Sequence, residues 1–210
     1  MTLFLSSNST FILLEGLKIL SKPLDKLNLV WVTTASKGVD DKTYLEKHKQ
    51  LMGRLRIQYE ELDIEGKSPD DLREILQNKD AVFVDGGNTF YLLKAIKESG
   101  FEAVLKDLLQ KGLVYFGSSA GAYIACPTIE TSRWKVSEKD IKEDYGMTDL
   151  TAMSLVPFLL KVHYTPEQKD FLKTKITETS RKVKILADNQ AFLVKDEQVI
   201  FMGTGQEIKL

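Results

Sequence analysis

A single cysteine, Cys126, stands in 210 residues, so no internal disulfide can form, and the chain suits a reducing compartment. There are only two histidines, His48 and His163, far apart in the sequence. With one cysteine they make no ligand cluster, and a metal is not expected. Twenty-nine basic residues face thirty acidic ones. Without a basic excess, nucleic acid and membrane surfaces are not expected partners. No window holds about eighteen uninterrupted apolar residues, which excludes an apolar membrane-spanning helix. The first residues, "MTLFLSSNSTFILLEGLKIL", lack a basic start and carry Glu15 and Lys18, so they read as a strand and a helix rather than a signal peptide. A cytoplasmic protein is the expectation. The chain has no G-x-G-x-x-G and no Walker lysine, which leaves nucleotide binding without support. It also has no internal repeat, low-complexity tract or dividing linker, so residues 1–210 are expected to form one domain.

What the sequence does have is alternation of two kinds of segment. Apolar, β-rich runs occur at 3–6, 27–35, 57–64, 81–87 and 113–117. Helix-period segments lie between them, at 11–20, 42–55, 68–76 and in "TFYLLKAIKESG" and "FEAVLKDLLQKG", each of the last two closed by a glycine, Gly100 and Gly112. The segment at 68–76 carries its own start signal: Ser68 as N-cap, Pro69 in the first turn, and Asp70 and Asp71 near the positive end of the helix dipole. Near-continuous apolar strands separated by helices imply a mostly parallel sheet covered on both faces, an α/β fold. The last forty residues differ. "KILAD", "AFLVKDEQVIFMG" and "EIKL" are short runs with tight turns, expected to form a β-rich end of hairpins at the sheet edge. The charged stretch 133–149 is expected to be a surface excursion.

The stretch "GLVYFGSSAGAYIA" raises the functional question. Gly117-Ser118-Ser119-Ala120-Gly121 fits G-x-S-x-G after a buried strand and before a small-residue helix start. A strand turning sharply into a helix holds its middle residue in a strained backbone and leaves the Ser119 hydroxyl exposed at the sheet edge. The helix start supplies free N–H groups to a developing oxyanion. Ser118 is the fallback nucleophile. Upstream, Asp85-Gly86-Gly87-Asn88-Thr89 ends another strand, and a glycine pair there can turn backbone N–H groups outward. His163 lies where an apolar run ends and a loop begins, a usual place for site residues, and with a serine elbow upstream it is the natural general base. His48, in "EKHKQ", reads as a solvated surface histidine. Cys126, before Pro127, has no tight-turn motif around it and is not the expected nucleophile.

"GGNTFYLL", then "GSSAGA", then "PTIETS", together with the opening "LFLSSNST", resemble the peptidase E family, the dipeptidase E-like serine peptidases of family S51, which are themselves similar to cyanophycinase. The resemblance runs across nearly the whole chain and is sharp at these motifs. It implies a three-layer α/β/α sandwich related to class I glutamine amidotransferases. It also implies cofactor-free hydrolysis of small peptides, by a monomer or homodimer, with Ser119 as nucleophile, His163 as base, and the N–H groups of Gly87 and Ala120 as oxyanion hole. Two departures from the family pattern stand out. The family's triad aspartate falls here on Trp134. Other acids must then serve: Glu130, Glu138 or Asp140 nearby, or Asp188 in "KILADNQAFLV", the late-strand position used by other members. Asp188 is the expected choice, because it follows a strand end as Ser119 and His163 do. The second departure is the loop after His163, shortened to "YTPEQKDFLK" without the arginine that would favour an aspartyl substrate. Lys169 and Lys173 are poor substitutes at a bidentate carboxylate site. The alternatives kept open are an esterase or amidase, and a non-catalytic member that binds a peptide or metabolite.

Overall fold

The computed structural model describes residues 1–134, 148–196 and 198–210. In chain order the elements are β1 (Thr2–Ser6), α1 (Ser9–Leu14), β2 (Leu29–Val32), α2 (Thr43–Arg54), β3 (Tyr59–Leu62), α3 (Pro69–Leu76), β4 (Ala81–Val84), α4 (Thr89–Ser99), α5 (Phe101–Gln110), β5 (Val114–Ser118), α6 (Ala120–Ile124), β6 (Leu159–Lys161), α7 (Lys169–Thr177), β7 (Val183–Ile185), β8 (Gln190–Lys195) and β9 (Gln198–Gly203).

Seven strands form one sheet in the order β3-β2-β4-β5-β1-β8-β9. The first five run parallel, and β8 and β9 close the edge antiparallel. The period-two alternation of strands decides which side chains face which layer. Leu3, Leu5, Val30, Val32, Val82, Val84 and Tyr115 point into one apolar core, with side chains of α3, α4, α5 and α6. Phe4, Leu29, Trp31, Ala81, Phe83 and Phe116 point into the other, against α1 and the Met52 face of α2. This is the expected three-layer α/β/α arrangement with a mostly parallel sheet.

Two details depart from the sequence reading. The helix expected over 11–20 ends at Leu14 and continues as a tight 3-10 turn, Gly16–Ile19. Gly16 packs on the Phe4 ring, where an added Cβ would lie 2.9 Å from it. "AFLVKDEQVIFMG" does form an edge hairpin, but the strand that "KILAD" enters, Val183–Ile185, does not join it. That run pairs parallel with β6 in a separate two-stranded sheet. Such a pairing joins segments far apart in the chain, and local turn signals do not report it. Most of the charged stretch 133–149 lies outside the described residues.

Because the five parallel strands point the same way, their C-terminal ends gather on one edge of the sheet, where ligands meet open α/β folds. Ser6-Ser7, Asp85-Gly86-Gly87 and Ser118-Ser119 all leave that edge.

Candidate active site

Ser119 sits between the end of β5 and the first residue of α6, with φ 47° and ψ −109°. A non-glycine residue there is strained, and the surroundings hold it in place. Its N–H donates to the Ser6 carbonyl at 3.1 Å, and its own carbonyl accepts from Ala122 and Tyr123 at 3.0 Å each. The glycines of the motif have a packing reason. A Cβ on Gly117 would lie 2.5 Å from the Gly121 carbonyl oxygen, and one on Gly121 would run into the Val84 carbonyl oxygen. Only glycine at both positions lets α6 start this close to β4 and β5.

The Ser119 hydroxyl faces His163. Its Oγ lies 2.9 Å from His163 Nε2, and His163 Nδ1 lies 2.9 Å from Asp188 Oδ1. A carboxylate only accepts, so Nδ1 carries the proton and Nε2 is left as an acceptor toward Ser119. His163 follows β6 with φ 58°, and Asp188 lies in the turn between β7 and β8. Both side chains are about half exposed, at 50% and 59%.

Ser7, absent from the sequence reading, joins the two. Its buried hydroxyl donates to Asp188 Oδ1 at 2.8 Å and accepts the His163 backbone N–H at 2.9 Å. One side chain therefore fixes both the carboxylate and the strained backbone that carries the imidazole. Its only sequence signal was its place just after an apolar strand, within "LFLSSNST".

Among the other candidates, Glu130 accepts from Thr179 Oγ1 at 3.0 Å on a 3-10 turn and has no hydrogen bond to His163. Glu138 and Asp140 lie outside the described residues. Trp134, the residue matched to the family's aspartate in the sequence reading, offers its backbone carbonyl to Lys161 Nζ at 3.2 Å. Ser118, the fallback nucleophile, is fully buried with its Oγ 2.5 Å from Ser9 Oγ. Lys169 and Lys173 are exposed on α7. Cys126 is buried, and burial pushes its thiol up to about 12, which keeps it protonated and inert.

The glycine loop flanks Ser119. A Cβ on Gly86 would lie 3.1 Å from Ser119 Cβ, and Gly87, at φ 137°, packs so closely on the Ala35 carbonyl that it has no room for a side chain. Among the described residues, no acceptor is paired with the N–H of Gly87 or of Ala120, the two expected oxyanion donors.

His48 overturns its reading as a solvated surface residue. It is buried, and its Nδ1 lies 2.8 Å from Oδ2 of the fully buried Asp85. The charged neighbours in "EKHKQ" obscured this. Tyr44, His48 and Met52, four residues apart, form the inward stripe of α2, and that spacing was the available signal. Among the described residues, no group of three or more histidine, cysteine or acidic side chains could hold a metal ion. No described helix is long and apolar enough to cross a membrane.

Known proteins resemble this chain over most of its length. The model of peptidase family S51 matches residues 3–202. An uncharacterized peptidase of Listeria innocua is 32% identical over 175 residues, covering 82% of each chain. Peptidase E of Escherichia coli is 39% identical over 90 residues, a shorter match covering 43% of this chain and 36% of that one. Among solved structures, a Listeria monocytogenes EGD-e protein named provisionally as a peptidase E superposes with a TM-score of 0.83 at 27% identity, over 97% of this chain and 98% of that one.

Proposed function

The chain belongs to peptidase family S51, and from that premise we propose that it is a serine peptidase acting on small peptides. The observation that carries the reading is the unbroken chain of contacts from Ser119 Oγ through His163 to Asp188, at 2.9 Å and 2.9 Å. Ser119 attacks the peptide carbonyl, and Nε2 of His163 takes its proton. Negative charge develops on the carbonyl oxygen, and the N–H groups of Gly87 and Ala120 receive it. His163 then returns the proton to the leaving amine. Water, deprotonated by the same imidazole, releases the acyl group. Asp188 holds the ring in the tautomer that leaves Nε2 free to accept, and it stabilises the imidazolium in between. The half-exposed imidazole suits a group that must meet solvent water in the second step.

The substrate preference we propose is not aspartyl. The short loop after His163 carries no arginine, and Lys169 and Lys173 lie on an exposed helix face. A cytoplasmic location fits the single reduced cysteine. The test is hydrolysis of a dipeptide library by wild type and Ser119→Ala, with Asp-Leu and Ala-Leu compared directly. The reading expects turnover that Ser119→Ala abolishes, and an Asp-Leu to Ala-Leu rate ratio below about a hundredfold, equivalent to about 2.7 kcal/mol of discrimination. Peptide turnover that persists in Ser119→Ala contradicts the mechanism. A larger ratio contradicts the specificity.

A further inference from the structure

The glycine loop is supported by α2. Gly87 N–H and the Gly86 carbonyl belong to one peptide unit. A trans peptide is planar, with its N–H and C=O pointing in opposite directions. Whatever holds the Gly86 carbonyl therefore sets the direction of the Gly87 N–H. The Gly86 carbonyl accepts from Tyr44 Oη at 3.1 Å. Burial, followed by the nearby Asp85 charge, raises the Tyr44 pKa well above the usual phenol value, so the hydroxyl keeps the proton it donates.

The preceding peptide is held as well. Gly86 N–H donates to Asp85 Oδ1 at 2.6 Å. Asp85 is fully buried and gathers donors from widely separated segments: Ser9 Oγ, Trp31 Nε1 at 2.9 Å and His48 Nδ1 at 2.8 Å. Ser118, the neighbour of Ser119, reaches the same carboxylate at 3.3 Å and Ser9 Oγ at 2.5 Å. One carboxylate thus ties the residue before the nucleophile to the residue before the glycine pair. Tyr44 and His48 are one turn apart on α2, with ring centroids 5.7 Å apart in an edge arrangement.

We propose that Tyr44 and His48 are positioning residues for the oxyanion donor: Tyr44 orients the Gly87 N–H through the Gly86 carbonyl, and His48 holds the loop through Asp85. This rests on the reading of Ser119 as nucleophile and Gly87 as an oxyanion donor. Neither α2 side chain touches the reacting atoms, so losing one weakens transition-state binding and leaves substrate binding alone.

The decisive variants are Tyr44→Phe, which keeps the ring and removes one hydroxyl, and His48→Leu beside His48→Asn, which restores a donor at the Nδ1 position. Each is compared with wild type and Ser119→Ala for kcat and KM on the best dipeptide substrate. Affinity for the matching peptidyl trifluoromethyl ketone, which forms a tetrahedral adduct bearing the oxyanion, is measured alongside. Removing a direct oxyanion donor costs about a hundredfold or more in kcat, and misorienting one costs less, so Tyr44→Phe and His48→Leu are expected to lose about tenfold or more. KM should stay within about twofold, ketone affinity should fall in proportion to kcat, and His48→Asn should recover most of the loss. If Ser119→Ala abolishes turnover yet Tyr44→Phe keeps both kcat and ketone affinity, this inference fails and the serine peptidase reading stands. A kcat loss with unchanged ketone affinity also overturns it. Turnover that survives Ser119→Ala removes both.

Discussion

Two histidine–carboxylate pairs lie in this molecule, and at the level of the pair they are nearly the same. His163 Nδ1 meets Asp188 at 2.9 Å, and His48 Nδ1 meets Asp85 at 2.8 Å. Their surroundings differ. The side chains of the first pair are 50% and 59% exposed, and those of the second 10% and 0%. His163 presents its second nitrogen to the Ser119 hydroxyl. His48 is enclosed by the Trp31 and Tyr44 rings, and its carboxylate is saturated with donors. A bond between imidazole and carboxylate orients a ring. It does not make the ring a base. What the second nitrogen faces, and whether water and substrate can reach it, separates a group that moves protons from one that holds chain segments together.

That contrast is open to experiment. Asp188→Asn should cost about four orders of magnitude in turnover, the magnitude of a wrong-tautomer histidine in a serine-protease triad, with stability within about 0.5 kcal/mol of wild type, as befits an exposed side chain. Near-full activity in this variant would make the open pair dispensable. Asp85→Asn should show the opposite balance. Its amide would turn donor hydrogens toward the N–H of Trp31 or Gly86, and breaking one member of a buried pair costs about 3–5 kcal/mol, readable as a fall in the denaturant midpoint. A stable Asp85→Asn protein would show that the enclosed pair contributes little to the fold.

Ser7→Ala sharpens the comparison further. The alanine would leave Asp188 and the His163 backbone without their shared partner, and the expected result is a kcat loss of about tenfold with a stability loss near 1 kcal/mol, the net worth of one hydrogen bond. Equal kcat in this variant would show that the elbow and strand ends alone hold the imidazole. The smallest effect is chemical. Diethyl pyrocarbonate should modify His163 well before His48 in the native protein, followed by peptide mapping. Modification of both at one rate would contradict the burial of the second pair.

Much of this was legible in the sequence, for physical reasons. The near-continuous apolar runs "LFLS", "LVWV" and "AVFV" leave both faces of each strand apolar, so a parallel sheet covered on both faces could be read locally. Gly117 and Gly121 flag the elbow because the close approach of α6 leaves no room for a Cβ. Ser119, His163 and Asp188 follow separate strand ends, and the fold brings them into contact. Local sequence failed where a residue's neighbours in space are not its neighbours in the chain. His48 sits among charges in sequence and against Trp31 and Asp85 in space. Ser7 looks like any small polar residue until β8 and the loop after β6 arrive beside it. Val183–Ile185 finds β6 across the α7 connection, not the hairpin next to it.

The most direct test of the central claim is labelling of the native protein with a fluorophosphonate, followed by mapping of the modified peptide. A single adduct on Ser119 is predicted, absent in Ser119→Ala, strongly slowed in His163→Ala and unchanged by Glu130→Gln. An unlabelled wild-type protein, or an adduct on Ser118, would contradict it.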